Sequence, residues 1–325
     1  MAAIEVNSGF YVLDDAGLLS NPRGDSVAVL QRHTRNGRVA GHLYVFRGGQ
    51  WRDVAYDDRS FWVDPVNGVN ATNRGKARDN PFLTITYALS QAEGGKDEVI
   101  YCEPGEYDEA VVISKAKMTI AGLGGRGAAF VVPSAANGVA IKVAGVSDVS
   151  LSNIGGEGNG TGGGLWVNAS DKVRRVRARS CKFEGGAFAA KLQGTGPDAD
   201  DLTVSDTYLD DCELCWTETA LHLVVTGAGD PVTQTFLRGC MLHNYSSRGV
   251  YVETSHADGL WILKNIFARQ ENSVEPTNEY VKADVAGTSG FMAGNHFPAA
   301  AASGKIVVDA NLIKGGNGYS DGWAA

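Results

Sequence analysis

Thr235-Phe-Leu-Arg-Gly-Cys-Met-Leu242 and Leu260-Trp-Ile-Leu-Lys-Asn-Ile-Phe267 are two copies of one degenerate pattern. Each copy alternates at a period of two and then ends in a small polar residue, any residue and an apolar residue. Equivalent strands that recur with unequal loops between them are typical of a solenoid rather than of a sandwich or a propeller. Further copies without gaps are found at 176–183, 202–209, 290–297 and 306–313.

One polar position repeats through these six segments. In a parallel coil, side chains at such a position stack and hydrogen-bond to each other or to the turn backbone. We therefore predict an all-β fold, a right-handed parallel β-helix, for residues 97–325. The predicted ladder consists of Cys181, Thr207, Cys240, Asn265, Asn295 and Asn311.

Residues 80–93 carry the one clear helical pattern in the chain. Asn80 is a suitable N-cap residue, and Phe82, Ile85 and Leu89 fall on one face of the helix. Because only strands follow, this apolar face needs a surface to cover, and the open end of a solenoid needs a cap. We expect this amphipathic helix to cap the N-terminal end of the β-helix.

The first sixty residues differ from the rest of the chain. They hold seven Arg, no Lys and seven acidic residues, and they carry short strand signals with a hairpin signal at Asn36-Gly37. We predict a small all-β module for residues 1–60. The segment that opens the solenoid, including the capping helix, is predicted for residues 61–96.

Composition excludes several classes of protein. The net charge of −8 and the isoelectric point near 5.3 disfavour a nucleic-acid binder, because phosphate neutralisation needs clustered cations. No apolar run approaches the roughly 20 residues that cross a bilayer, and the start lacks the features of a signal peptide. Five sparse cysteines indicate synthesis in a reducing cytoplasm rather than a disulfide scaffold.

Four stretches of the opening segment carry a recognisable sequence pattern. They are Phe61-Trp-Val-Asp-Pro-Val-Asn-Gly68, Asn80-Pro-Phe-Leu-Thr-Ile-Thr-Tyr-Ala-Leu89, Asp97-Glu-Val-Ile-Tyr-Cys-Glu-Pro-Gly-Glu-Tyr107 and Met118-Thr-Ile-Ala-Gly-Leu-Gly124. Together they resemble the start of pectate-lyase-like β-helices, which is common in bacteriophage tailspike and virion surface proteins. The resemblance extends over roughly 65 residues and is more specific for fold than for function.

The resemblance implies a structural protein of the phage virion surface that is made in the host cytoplasm. It would be a trimeric spike, a capsid decoration or cement protein, or a tailspike, attached to other virion proteins through residues 1–60. Recognition of a host-surface polysaccharide is left open. The alternative is a tailspike depolymerase that degrades polysaccharide as a glycoside hydrolase or lyase.

Two carboxylates are the candidates for catalysis. The alignment of segments stacks Glu184 over Asp210 one rung away, about 4.8 Å, which suits a glycosidase pair. The competing interpretation is stronger, because Asp-rich loops form turns and Arg174 and Arg175 align over neighbouring acids as ordinary ion pairs.

No cofactor and no metal site are predicted. Cys212-Glu-Leu-Cys215 is a single CxxC without a second pair, and a structural zinc site needs four ligands. Cysteines inside the coil, acting as small apolar residues, are the favoured interpretation.

Apolar side chains at outward positions of the repeated strand predict an interface. Soluble monomers avoid large exposed apolar patches, so these residues either pack under the chain's own loops or form a homotrimer contact. We refer to the set as the outer strip, and it consists of Phe236, Met241, Trp261, Ile266 and Phe291.

Overall fold

The computed structural model of the chain divides into two compact units, Met1–Ser60 and Phe61–Ala325. It describes only part of the sequence. The described residues are 10–11, 27–33, 39–47, 50–53, 59–169, 172–195, 204–226, 232–253, 259–268, 278–286, 288–298 and 305–319.

The described part of the first unit is a four-stranded sheet. Its strands are β1 Phe10–Tyr11, β2 Val27–His33, β3 Val39–Arg47 and β4 Gln50–Asp53. Strand β2 pairs antiparallel with β3, β3 pairs antiparallel with β4, and β1 lies parallel to β2. The predicted hairpin residues Asn36-Gly37 lie outside the described residues.

A ten-stranded parallel sheet, sheet I, forms one face of the second unit. Side chains alternate between buried and half-buried along several of its strands, as a sheet with one face on a core requires. Its strands are β5 Ser60–Val63, β6 Glu98–Cys102, β9 Met118–Gly122, β12 Val149–Ser152, β15 Val173–Arg179, β18 Val204–Asp210, β20 Thr235–Arg238, β22 Leu260–Leu263, β25 Gly290–Ala293 and β28 Leu312–Gly315.

A second sheet of fifteen strands forms two further faces, row II and row III, which share the long strands β19 Glu213–Thr226 and β21 Met241–Val252. The other strands of row II are β7 Gly105–Tyr107, β10 Ala129–Val131, β13 Ile154–Gly158, β16 Lys182–Gly185, β23 Ile266–Phe267, β26 His296–Phe297 and β29 Gly318–Tyr319. The other strands of row III are β8 Val111–Ile113, β11 Ile141–Ala144, β14 Gly163–Ala169, β17 Phe188–Thr195, β24 Val281–Ala283 and β27 Ile306–Val308.

The chain passes from sheet I to row II to row III and back, and each strand pairs in parallel with its equivalent one coil on. Equivalent side chains therefore stack in columns inside the coil. One column runs through Leu209, Leu237, Ile262 and Met292, each at most 1% exposed. This confirms the predicted parallel β-helix.

The polar ladder lies at the turn from sheet I to row II. The backbone N–H of Cys240 donates to Asn265 Oδ1 at 2.8 Å, that of Asn265 to Asn295 Oδ1 at 2.9 Å, and that of Asn295 to Asn317 Oδ1 at 3.1 Å. The Cys212 N–H extends the ladder to Cys240 Sγ at 3.4 Å. Each stacked residue thus satisfies a backbone donor in the preceding coil.

The predicted ladder was wrong at two positions, where Cys212 replaces Thr207 and Asn317 replaces Asn311. The register pairs Thr207 with Thr235, so the segment 202–209 was aligned five residues too early. The physical reason is that Asp206 and Asp211 both have a φ of 53°, so the alternation breaks twice. The segment was aligned on the first break, inside β18, instead of on the turn directly before the ladder residue Cys212.

The single α-helix among the described residues, α1 Ile85–Gln91, is shorter than predicted. Asn80 was wrongly expected to be its N-cap: Thr84 holds this position and accepts a hydrogen bond from the Tyr87 N–H at 3.2 Å. The Glu109 carboxylate accepts two more, from the Ile85 N–H at 2.7 Å and the Thr86 N–H at 2.8 Å.

Residues before the helix are extended because they pair with β5. The Phe82 N–H donates to the Trp62 carbonyl at 2.8 Å, and Phe82 itself is 1% exposed and packs on Phe61 and Tyr87. Ile85 and Leu89 of α1 are also buried. Helix α1 contacts β6 and β8, so it covers the N-terminal end of the coil.

No helix in the described part of the chain is long and apolar enough to span a membrane.

Candidate functional site

The two predicted catalytic carboxylates lie on different sheets. Glu184 belongs to β16 of row II, and Cys215 stands opposite it in the next coil. Asp210 ends β18 of sheet I, where its carboxylate accepts hydrogen bonds from Arg238 Nε at 2.6 Å and Nη2 at 2.8 Å. The predicted stacking of Glu184 over Asp210 was therefore wrong, for the same register reason that displaced the ladder.

Polar side chains do stack on the outer face of row II. Glu157 pairs in register with Glu184, Glu184 with Cys215, and Cys215 with His243. Glu213 lies two residues before Cys215 on β19 and so projects from the same face. The coil thereby brings five titratable side chains together from four consecutive strands.

Direct contacts link the centre of this cluster. The Cys215 Sγ lies 3.4 Å from Glu184 Oε2 and 3.5 Å from Glu213 Oε1, and His243 Nε2 lies 3.1 Å from Glu213 Oε1. Lys182 Nζ forms an ion pair with Glu184 Oε2 at 2.7 Å. The cluster is therefore a connected network of charges rather than a set of independent surface groups.

Its electrostatics follow from these contacts. The hydrogen bond from His243 lowers the pKa of Glu213 from its ordinary 4.5 to about 2. Burial and the neighbouring Glu184 raise the pKa of Glu157. Burial, followed by the charges of Glu184 and Glu213, raises the pKa of the Cys215 thiol. Within one cluster, the pKa of the Glu213 carboxyl is therefore lowered and that of the Glu157 carboxyl is raised.

Cys215 was wrongly assigned to the interior of the coil. Cys212 is an interior residue of the ladder, whereas Cys215 is fully buried but stands outside the continuous apolar core, beneath Glu184 and Glu213. The misplaced register hid this difference, because it ended the repeated segment at residue 209 and left Leu214, the inward residue directly before Cys215, unassigned.

An open cleft adjoins the cluster at the corner between rows II and III. Trp216 and Asn244, which follow Cys215 and His243 directly, are opposite each other across β19 and β21. Hydroxyl and amide groups complete the wall, and Asn278 Nδ2 donates to Ser247 Oγ at 2.8 Å. The cleft is lined by Trp216, Glu218, Asn244, Ser246, Ser247 and Asn278.

Trp216 has an unusual backbone for its size. Gly185, Trp216 and Asn244 occupy one corner position in three consecutive coils, and their φ angles are 75°, 49° and 54°. Glycine and asparagine tolerate this left-handed region, but a bulky side chain there is strained by about 1–2 kcal/mol. The Trp216 side chain is nevertheless 47% exposed, so core packing does not explain its presence.

A second polar group lies on the outer face of row III. His222 Nε2 is 2.6 Å from Glu253 Oε2, and the His222 ring stacks on Tyr251 with 5.2 Å between ring centres. Burial lowers the pKa of both His222 and the nearby Lys191. The sequence offered no signal for this group beyond the residue types.

The outer strip is divided between two faces. Phe236, Trp261 and Phe291 are in register on sheet I and half-buried, with ring centres 5.9 Å and 6.3 Å apart. Met241 and Ile266 pair on row II instead, beyond the ladder turn, and Met241 is 39% exposed. Residues 269–277, in the loop between β23 and β24, lie outside the described residues.

The aromatic column continues on sheet I toward the N-terminus. Tyr208 stacks on Phe236 at 4.6 Å, and the guanidinium groups of Arg177 and Arg238 lie over the Tyr208 ring at 4.8 Å and 5.4 Å. Stacking between coils therefore covers much of each ring.

Comparisons with known proteins give likenesses of structure only. No family model and no curated protein matches the chain. A pectin methylesterase in complex with a hexasaccharide is 11% identical, with 81% of this chain and 90% of that chain covered and a TM-score of 0.47. The pectin methylesterase of Erwinia chrysanthemi is 14% identical, with 82% of this chain and 90% of that chain covered and a TM-score of 0.45.

The protein ORF18 of Geobacillus virus E2 is 13% identical, with 83% of this chain and 72% of that chain covered and a TM-score of 0.29. All three TM-scores lie below 0.5. The fold of the chain is accordingly defined by its own parallel strand register.

Proposed function

We propose that this chain is a structural protein of a phage virion surface and that the cleft around Trp216 binds a neutral host-surface glycan. The single observation that carries the glycan-binding role is an exposed, strained tryptophan surrounded by amide and hydroxyl groups in an open cleft. The virion role is supported by the resemblance of the opening segment to those of phage surface proteins.

The chemistry of the cleft suits a sugar. The flat face of an exposed indole stacks on the apolar C–H face of a pyranose ring, while amides and hydroxyls both donate to and accept from sugar hydroxyls. Asn244, Asn278 and Ser247 provide such groups beside Trp216. An open, elongated glycan fits a shallow cleft better than a compact ligand, which prefers an enclosed apolar pocket.

The charge of the cleft selects among glycans. Glu218 is the one charged side chain among the described residues that line it. The chain as a whole carries a net charge of −8. Acidic sugars such as uronates would meet repulsion here, so neutral glycans are the expected ligands.

Binding without cleavage is the favoured activity. Glycoside hydrolysis uses two carboxylates about 5–9.5 Å apart on either side of the bond, and the described lining offers Glu218 alone. The former candidates Glu184 and Asp210 lie on different sheets, and Asp210 is neutralised by Arg238. The depolymerase alternative therefore has less support from the geometry.

Assembly completes the proposal. Residues 1–60 would attach the protein to other virion proteins, and the outer strip would hold a homotrimer of 34.3 kDa chains. Half-buried Phe236, Trp261 and Phe291 leave one continuous aromatic column for a neighbouring copy. Light scattering tests this: Trp261→Glu should release monomers from a trimeric wild type, and a monomeric wild type would contradict it.

The functional experiment uses the full chain on immobilised surface polysaccharides of bacterial hosts, with polygalacturonate as the acidic comparison. The wild type should bind a neutral polysaccharide without releasing reducing ends, and Trp216→Gly should abolish binding. Lys264→Gly is the matched control, because Lys264 has a φ of 54° on the outside of another turn. Equal binding by wild type and Trp216→Gly would refute glycan binding in the cleft around Trp216. Release of reducing ends would establish the depolymerase activity.

A further inference from the structure

Three different kinds of metal ligand converge on the outer face of row II. Glu213, Cys215 and His243 each contribute one ligand atom, and these three atoms all lie within 4.8 Å of one another. The strand register fixes their positions, because Cys215 and His243 are directly opposite across β19 and β21. We propose that these three residues form a binding site for a divalent cation of the zinc class.

The distances are close to those of a coordinated ion. Zn–S near 2.3 Å and Zn–N or Zn–O near 2.0–2.1 Å at tetrahedral angles put ligand atoms about 3.3–3.6 Å apart. Cys215 Sγ lies 3.5 Å from Glu213 Oε1, and His243 Nε2 lies 3.1 Å from the same oxygen.

A fourth ligand is within reach. Glu184 Oε2 lies 3.4 Å from Cys215 Sγ on the preceding coil, where it also pairs with Lys182. A site of one thiolate, one imidazole and carboxylate oxygens matches zinc, whereas magnesium and calcium prefer all-oxygen shells.

The position of Cys215 distinguishes it from the other cysteines. Cys102, Cys181, Cys212 and Cys240 belong to the apolar core of the coil, while Cys215 does not. Its sulfur faces two carboxylates, an arrangement that a bound cation would stabilise and an apolar filler role does not require. Side chains of Glu213 and His243 are 24% and 20% exposed, so an ion can reach the site from solvent.

The consequence for the fold is a cross-link between coils. An ion held by β19 and β21, with Glu184 of β16, would join three consecutive strands directly beside Trp216 and Asn244. Because the readout is metal binding and not glycan binding, the inference stands or falls separately from the proposed function.

The test uses the full chain after removal of metals by chelation. Titration with Co²⁺ should give a thiolate-to-metal charge-transfer band, and calorimetry with Zn²⁺ should give one ion per chain. Cys215→Ser should abolish the band. His243→Gln should weaken Zn²⁺ binding by at least the roughly 10–100-fold that loss of a supporting hydrogen-bonded group costs.

Two matched controls exist in the same chain. Cys102→Ser removes a thiol from the core, and His222→Gln removes another imidazole that contacts a glutamate, at 2.6 Å from Glu253. Neither should change the stoichiometry or the affinity. Zn²⁺ should also raise the melting temperature of the wild type and of both controls, because a ligand that binds only the folded state stabilises it.

Absence of Zn²⁺ binding by the wild type would overturn the inference. So would a charge-transfer band that persists in Cys215→Ser. If Cys215→Ser does not fold, His243→Gln and Glu213→Gln decide the matter, since unchanged affinity in both would equally refute the site.

Discussion

Trp216 and Asn244 occupy the same left-handed backbone position in consecutive coils, with φ angles of 49° and 54°. Asparagine adopts this conformation readily, and tryptophan does not. Strain of this kind persists where the side chain has a role that outweighs its cost. Asn244 therefore suits its backbone conformation, whereas Trp216 is explained by a role of its exposed side chain.

The strain at Trp216 predicts that its replacement by glycine abolishes glycan binding without lowering the stability of the fold. Trp216→Gly should leave the melting temperature unchanged or raise it, because relief of about 1–2 kcal/mol of backbone strain offsets the lost side-chain contacts. Differential scanning calorimetry measures this. Lys264 has a φ of 54°, and Lys264→Gly should likewise leave the melting temperature unchanged or raise it. A drop of several degrees in Trp216→Gly alone would show that Trp216 serves packing.

The cap at the N-terminal end of the coil predicts a steep loss of stability. Phe82 is 1% exposed between Phe61 and Tyr87, and Phe82→Asp would bury a charge without a partner. The free energy of unfolding should fall by at least about 3–5 kcal/mol. Leu83→Asp is the matched control, since Leu83 is 37% exposed. Equal melting temperatures for both variants would show that Phe82 covers nothing.

The corrected ladder predicts a difference between two asparagines. Asn265 is 1% exposed; it accepts from the Cys240 N–H and donates through Nδ2 to the Leu237 carbonyl at 2.9 Å. Asn265→Ala should therefore lower the free energy of unfolding by about 1–3 kcal/mol through the buried groups it leaves unsatisfied. Asn311→Ala, at an exposed turn residue, should have little effect. Chemical denaturation compares them, and a larger loss in Asn311→Ala would restore the original alignment.

The lowered pKa of Glu213 predicts a dependence on acid. A carboxylate whose pKa falls from 4.5 to about 2 on folding stabilises the protein fully above pH 4.5 and loses this contribution as the pH falls toward 2. For a partly exposed group the contribution is about 1 kcal/mol. The melting temperatures of wild type and Glu213→Gln should therefore differ at pH 6, approach each other below pH 4.5 and coincide only near pH 2. A difference that stays constant over this range would contradict the assignment.

Much of the fold could be predicted from the sequence because it depends on repetition. Alternation at a period of two and a recurring polar residue define stacked parallel strands without any knowledge of loops. The register was less accessible, because Asp206 breaks the alternation inside a strand and such a backbone conformation leaves no trace in side-chain hydrophobicity.

The candidate site was missed for the same reason. With the ladder aligned through Cys181, Cys212 and Cys240, the residues four positions later are Gly185, Trp216 and Asn244. A tryptophan at a position otherwise held by glycine and asparagine is then visible as an anomaly. The misaligned segment, which ended at residue 209, hid this signal together with the position of Cys215.

Calorimetric titration of the full chain with a neutral oligosaccharide prepared from host surface polysaccharide measures glycan binding at the Trp216 cleft. We expect saturable binding by the wild type and by Lys264→Gly, no binding by Trp216→Gly, and no binding of an oligogalacturonate of equal length. Binding that survives in Trp216→Gly, or a preference for the acidic oligosaccharide, would contradict this expectation.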